Sequence, residues 1–245
     1  MIKSVNILGI NFTSGAHEEI LEKCIKDGGY IIAPSAPTLV YAKENQYFYE
    51  CFLAADNAIL DSGFLVLIWN IIYKEKINKF SGLRYLRALL KKLTPTDFDN
   101  TLWILPDELS AEKTKSMLFN QCNKFNFYIA PKYPKDGVIH DLELMNIINK
   151  TSPKHVIVAI GGGTQERLAR NIKDSYQKKT CIHCIGGALA FLNKTQVCIP
   201  EWADALSLGW LFRCIYLPSL YVPRYWHSLN LLKIALNGLK KPITH

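Results

Sequence analysis

Residues 155–172 read HVIVAIGGGTQERLARNI, and the fold is decided there. Val156 to Ile160 form a short, β-branched, nearly all-apolar run, the pattern of a strand buried on both faces of a parallel sheet. Gly161, Gly162 and Gly163 follow at once. Thr164, with Gln165 and Glu166, then opens a helix carrying Leu168 and Ile172 at helical spacing, with Thr164 expected as its N-cap. Glycine permits a sharp turn and close approach of a ligand, and the free N–H groups of a helix start favour an anion such as a nucleotide diphosphate. Packing alone also produces glycine turns after buried strands, so both readings stay open at this point.

Outward from that centre, strands and helices alternate. Val5 to Ile10 read as a first strand, Ala16 to Asp27 as an amphipathic helix ending at Gly28-Gly29, and Tyr30 to Ala33 as a second strand running into Pro34-Ser35-Ala36-Pro37. Thr38 to Phe52 read as helix and Ala58 to Leu60 as a buried strand with Asp61 at its carboxyl end. Ser62-Gly63 turn the chain into FLVLIWNIIY, expected as a buried helix. A helix from Ser81-Gly82, a strand at Leu102 to Leu105, a helix at Ala111 to Asn123, a strand at Phe125 to Ala130 and a helix at Leu142 to Asn149 complete the approach to Val156. KKTCIHCIGG, ending at Gly186-Gly187, repeats the strand-then-glycine pattern. The expected fold is α/β, a Rossmann-like, mostly parallel sheet flanked by helices. Ligands of such sheets bind beyond the carboxyl ends of the strands, which places Ser35, Asp61, the Gly161 turn and the Gly186 turn on one edge.

From about Lys194 the texture changes. Trp202, Trp210, Tyr216, Tyr221, Tyr225 and Trp226 mix with Arg213, Arg224, Lys233, Lys240 and Lys241, opposed by Glu201 and Asp204 alone. Rings among cations suit a membrane interface; they equally suit a helical appendage packed on the core. The expected division is a Rossmann-like core over 1–194, which the resemblance given below makes nucleotide-sugar-binding, and a basic, aromatic C-terminal appendage over 195–245. The apolar segment Ala205 to Val222 is broken by Arg213 and Pro218, which argues against a bilayer span, and the N-terminus has too short an apolar run for a secretory signal.

With 29 Lys and Arg against 21 Asp and Glu, the 245-residue chain carries a net +8 and favours an anionic partner. The basic residues form neither a recognition helix nor a stacking platform, so nucleic acid is not expected. Seven scattered cysteines suit reduced thiols. Cys181 and Cys184 form a CxxC without a second pair, and the six histidines lack HxxxH or HExxH spacing, so no metal is assigned to any of them.

Asp61 is the catalytic candidate: a carboxylate fixed at the ligand edge, where partial desolvation raises its basicity. Its alternative is capping the helix after it. Asp97-Phe98-Asp99 is a DxD, a spacing used to hold a divalent ion against a sugar diphosphate, but it precedes a strand and reads as a solvated turn. Arg213 and Arg224 are cations suited to a leaving diphosphate if the C-terminal segment folds over the site.

In order along the chain, NAILDSGFLVLIWN, NKFSGLRYL, GGGTQE at Gly161 to Glu166, IGGALAFLN, IPEW, GWLFRC, Leu217-Pro218 and PRYW resemble the motifs of the WecG/TagA/CpsF glycosyltransferases, glycosyltransferase family twenty-six, over nearly the whole chain. The resemblance implies an inverting, metal-independent and cofactor-free transfer from a UDP-sugar donor to a polyprenyl diphosphate-linked saccharide acceptor. It places the protein on the cytoplasmic face of the cell membrane, in cell-surface polysaccharide or teichoic-acid-type assembly, with homo-oligomers allowed. By that resemblance Asp61 is the general base, Ser35, Ser62 and the glycine turns line the substrate, Gln165 and Glu166 touch the donor, and Arg213 and Arg224 stabilise departing UDP. The chain departs from the family pattern at Ala33 and Ser35 (for Thr and Asn), Lys79, Arg84, Ala190 (for Asp), Gly209 (for Glu) and Leu220 (for Arg). Such changes imply either a different donor or a catalytically silent, sugar-nucleotide- or partner-binding homologue at the membrane.

Overall fold

The structure, a computed structural model, describes residues 2–196, 200, 202–203 and 208–238. Among them, eight strands form one sheet in the order β1-β2-β4-β3-β8-β7-β5-β6. These are β1 (Lys3–Ile7), β2 (Ile10–Ser14), β3 (Gly29–Ile32), β4 (Asn57–Ile59), β5 (Thr101–Leu105), β6 (Asn126–Ile129), β7 (His155–Val158) and β8 (Cys181–Cys184). Every pairing from β2 to β6 is parallel; β1 alone runs antiparallel, at the edge. The α/β expectation is met.

The single strand expected at Val5 to Ile10 is instead the middle of a hairpin. Leu8 and Gly9 take φ of 56° and 82°, the two left-handed residues of a tight turn, and Leu8 is fixed there by Tyr49, whose hydroxyl donates to its carbonyl at 2.6 Å. Further strand ends move by one or two residues. β7 starts at His155 and stops at Val158, so Ala159 and Ile160 already belong to the turn.

Helices cover both faces. α2 (Ala36–Glu44), α3 (Gln46–Leu53), α4 (Gly63–Tyr73), α8 (Leu142–Thr151) and α9 (Thr164–Ser175) lie over the face carrying Tyr30, Ile32, Leu60, Val156 and Val158. α1 (His17–Asp27), α5 (Gly82–Lys92), α7 (Glu108–Met117) and α10 (Ala188–Leu192) lie over the face carrying Ile31, Ile59, Trp103 and Ile157, with the short α6 (Pro95–Asp99) at its rim. Adjacent residues in one strand thus enter different cores, the two-residue period of a strand buried on both sides.

Two expectations about helices are corrected. Thr38 to Phe52 is broken at Asn45, whose side chain accepts from Phe48 N at 2.9 Å and caps α3. The apolar α4 is only half-buried: Leu65, Ile68 and Trp69 face the core, while Leu67 and Ile71 are 56 % and 68 % exposed. A helix that is apolar all round but packed on one side leaves an apolar face outward.

The C-terminal segment forms α11 (Gly209–Tyr216), α12 (Pro218–Ser228) and α13 (Asn230–Gly238). α12 and α13 pack on α2, α13 also touches α4, and Leu231 is fully buried in the first core. Ile199 and Glu201 of IPEW, together with Asp204, Lys240 and Lys241, lie outside the described residues.

Candidate active site at the carboxyl edge of the sheet

Four adjacent strands, β4, β3, β8 and β7, send their carboxyl ends to one place. Gly82, at the start of α5, is where three of them meet. Its N–H donates to Asp61 Oδ1 at 2.7 Å, and a Cβ built on it lies 3.5 Å from Ala33 Cβ, 3.5 Å from the Ile185 carbonyl and 3.7 Å from Asp61 Oδ1. Asp61 is half-buried, and its backbone N–H closes a tight turn onto Ile59 O at 2.9 Å. The capping alternative falls to its neighbour: Ser62, not Asp61, caps α4, accepting from Leu65 N at 3.1 Å. His17 holds the segment before Gly82, stacking on Phe80 at 4.2 Å with Nε2 at 3.1 Å from Lys79 O; burial, then Arg84, lowers its pKa.

The two glycine turns are tied together by one amide. Gln165 Oε1 accepts from Gly186 N at 2.8 Å, and its Nε2 donates to Glu166 Oε1 at 2.9 Å. Glu166 Oε2 in turn accepts from Gly163 N at 2.6 Å. Both side chains are buried, and these bonds point them into the frame of the site. Burial pushes the Glu166 carboxyl up, against the bonds from Gln165 and Gly163. The N-cap of α9 is Gly163, not Thr164: with φ of 95°, Gly163 makes the turn, and Thr164 is already the first helical residue.

The three glycines differ. A Cβ on Gly162 would lie 2.6 Å from Thr38 Cγ2, so this glycine lets α2 approach and answers to packing. Gly161 and Gly163 have φ of 97° and 95° and nothing within 4 Å of an added Cβ, so their backbone is open to a ligand. Thr38 also contacts Ser35: its hydroxyl donates to Ser35 O at 2.8 Å and lies 3.1 Å from Ser35 Oγ. Arg167, buried, donates to the carbonyls of Gly163, Gly137 and Pro134 at 3.1, 2.9 and 2.7 Å and pins the loop after β6 beside the turn.

Beyond Gly161 and Gly187 opens a cleft of about 270 Å³, walled by Asp107, Ser110, Ala190 and Gln196 among others. On the Asp61 side the C-terminal helices arrive. Arg213 on α11 lies over the Phe191 ring at 4.7 Å, its Nη1 donates to the Tyr225 hydroxyl at 3.0 Å, and its Nε is buried without a hydrogen-bond partner. Burial raises the Tyr225 pKa, Arg213 opposes that, and the Asp61 charge adds to it, which places Tyr225 within electrostatic reach of Asp61. Arg224, one residue earlier, is exposed, and no hydrogen bond of its guanidinium is found among the described residues. Leu220 is exposed on α12, Gly209 begins α11, and Ala190 stands in the cleft wall.

The DxD takes part in other contacts. Asp97 closes a capping box with Thr94 and pairs with Lys154 Nζ at 2.6 Å; Asp99 accepts from the backbone N–H groups of Asn123 and Lys124. Both precede β5, at the far edge.

A family model described as "Glycosyl transferase WecG/TagA/CpsF family" matches residues 5–244, nearly the whole chain. The chain belongs to the WecG/TagA/CpsF glycosyltransferase family. Compared with curated proteins, it finds no match. Family membership supports a glycosyltransferase role in cell-surface polysaccharide synthesis. Within this WecG/TagA/CpsF chain, reading the sequence missed Thr38, Gly82, Phe191 and Tyr225. Each acts through a partner distant along the chain, and no local motif announces it.

Proposed function

We propose that this glycosyltransferase moves a sugar from a UDP-sugar to a polyprenyl diphosphate-linked acceptor at the inner face of the cell membrane, in one inverting displacement that needs no metal. The observation that carries the reading is the make-up of the carboxyl edge of the sheet: Asp61 held by the Gly82 N–H, the open backbone of Gly161 and Gly163, and, on the helices that follow, an arginine whose Nε lacks a partner. In this reading the donor diphosphate lies against the open backbone of Gly161 and Gly163, on the N–H groups of the two turns that Gln165 and Glu166 do not occupy, and its nucleoside reaches the cleft beside Ala190. Asp61 removes the proton of the acceptor hydroxyl as its oxygen attacks the anomeric carbon. The bond to the UDP oxygen breaks on the opposite face, and the charge left on UDP is met by the turn N–H groups and by Arg213. Gln165 and Glu166 hold the two turns at the donor, Ser35 and Ser62 flank the acceptor side, and Arg224, exposed on α12, is a further cation for the leaving diphosphate.

Support for the membrane reading comes from exposed apolar side chains on neighbouring helices: Ile215 on α11, Trp226 on α12, Leu232 on α13, and Leu67 and Ile71 on α4, which α13 touches. No helix among the described residues is long and apolar enough to cross a membrane. The second reading, a silent sugar-nucleotide binder, is favoured by Ala190 in the cleft wall, where the resemblance expects a carboxylate.

The test is UDP release from a panel of UDP-sugars with a lipid-linked acceptor and acceptor-containing liposomes, with and without EDTA. Acceptor-dependent release that survives EDTA, with inverted configuration in the product, supports transfer. UDP-sugar binding without release from any donor overturns it in favour of the silent binder.

A further inference from the structure

The CxxC and the histidines, given no metal in the sequence, acquire a different geometry in the sheet. Alternation along β8 sends Cys184 into the first core, where its thiol faces Gln165 O, and Cys181 and His183 to the opposite face. The pairing that matters is therefore C-x-H within the strand. His155, in register with Cys181 on the neighbouring strand β7, joins them. One ligand atom from each of His155, Cys181 and His183 lies within 4.8 Å of the other two, and all three side chains are buried.

These residues begin β7 and β8, at the amino edge of the sheet, opposite the glycine turns. The cover is α1 and α5. From α5 the Tyr85 hydroxyl bonds His183 Nδ1 at 2.8 Å and also reaches the Cys24 thiol of α1. That fixes the His183 ring, whose Nε2 shares a hydrogen bond with His155 Nδ1 at 3.1 Å. His155 Nε2 is buried without a partner, and the Cys181 thiol faces only the backbone oxygens of Cys24 and Ile25, at 3.7 and 3.4 Å. An orphaned ring nitrogen and a thiol with only weak bonds are costly in an otherwise apolar core.

We infer that His155, Cys181 and His183 form a structural site for a divalent zinc ion, joining β7 to β8 beneath Tyr85. Imidazole nitrogen and thiolate sulfur are donors that zinc takes, and the three residues fill three of the four positions of its tetrahedron. Tetrahedral zinc at ordinary bond lengths separates its nitrogen ligands by about 3.4 Å and nitrogen from sulfur by about 3.6 Å. One ligand atom of each residue already lies within 4.8 Å of the other two, so giving up the His155–His183 hydrogen bond and small side-chain rotations bring two ring nitrogens and the sulfur to these distances. His155 contributes one ring nitrogen, His183 contributes Nε2, and Tyr85 is the outer partner that orients the second imidazole. On binding, the Cys181 thiol releases its proton to solvent and the thiolate takes the ion. The site stands apart from the proposed transfer chemistry, and its test does not use activity.

The untagged full chain, purified without chelator and desalted, is assayed for metal by plasma mass spectrometry and X-ray absorption. The expected result is about one zinc per chain with sulfur and nitrogen in the first shell. Cys181→Ser and His155→Gln should each lower retained zinc by about 10-fold or more, whereas the surface variant His227→Gln keeps it. Should the core variants fail to fold, cobalt substitution of the unmodified chain decides: a sulfur-to-cobalt charge-transfer band supports the site. Less than about a tenth of an equivalent of zinc, even after refolding with zinc present, overturns the inference. So does bound metal without sulfur among its ligands.

Discussion

Replacing Gly162 by alanine tests whether the glycine turn is seated by its contact with α2. The new methyl would lie 2.6 Å from Thr38 Cγ2, roughly an ångström inside ordinary van der Waals contact. Gly162 does not have a left-handed φ, so the cost is steric: about 1–3 kcal/mol of overpacking, less about 0.4–1 kcal/mol because alanine restricts the unfolded chain. A net loss of about 1–2 kcal/mol corresponds to a fall in Tm of about 2–8 °C in a chain of this size. Thr38→Ser removes the clashing methyl and keeps the hydroxyl that bonds Ser35, and the next Thr38 atom is 3.9 Å from the new Cβ. The double variant should therefore recover about 1–2 kcal/mol relative to the sum of the single ones, in urea melts followed by circular dichroism. Gly161→Ala, strained at φ of 97° with open space around it, should gain nothing from Thr38→Ser. Additivity of Gly162→Ala and Thr38→Ser within about 0.5 kcal/mol would refute the contact and the packing role of this glycine.

Gln165→Leu leaves Gly186 N and a Glu166 oxygen without their partner inside the protein, so stability should fall by about 2–4 kcal/mol. Hydrogen exchange at Gly186 should quicken, and unchanged exchange there would contradict the tie between the turns. For Asp97, burial works to raise the pKa, but the bonds from Lys154 and Thr94 prevail and bring it from 3.8 to about 2. Because the folded-state value is depressed, the pair stabilises the protein above the ordinary carboxylate pKa, and that contribution disappears as the pH falls through about 2. Lys154 is 57 % exposed, so its worth is about 1 kcal/mol. Asp97→Asn should flatten that part of a stability-versus-pH curve without altering transferase activity, since the DxD lies away from the site.

What the sequence discloses depends on how local the cause is. The buried strands, the glycine turns after β7 and β8 and the helix after Ser62 follow from runs of a few residues, and all appear in the structure. Strand order does not follow, and it is the order that makes Asp61, Ala33, Gly186 and Gly161 neighbours. The Leu8-Gly9 turn escaped because its left-handed leucine is held by Tyr49, far along the chain. Apolar residues all round α4 resemble full burial; only its packing reveals the open face. Gln165 and Glu166, suited to ligand contact by position, turn inward because Gly186 N and Gly163 N, brought there by the sheet, need acceptors. The CxxC misleads for a geometric reason: in a strand, positions three apart face opposite sides, and the partner of Cys181 is His183.

The central claim rests on Asp61 as proton acceptor. Asp61→Asn keeps Oδ1 to receive the Gly82 N–H and removes only the basic carboxylate, so the convergence at Gly82 survives the change. The measurement is UDP release by the wild type and by Asp61→Asn, with UDP-sugar and lipid-linked acceptor saturating and UDP-sugar affinity measured in parallel. The account predicts a fall in turnover of about 10²–10⁴-fold with affinity unchanged. Turnover within a few-fold of the wild type would contradict it and move the base elsewhere.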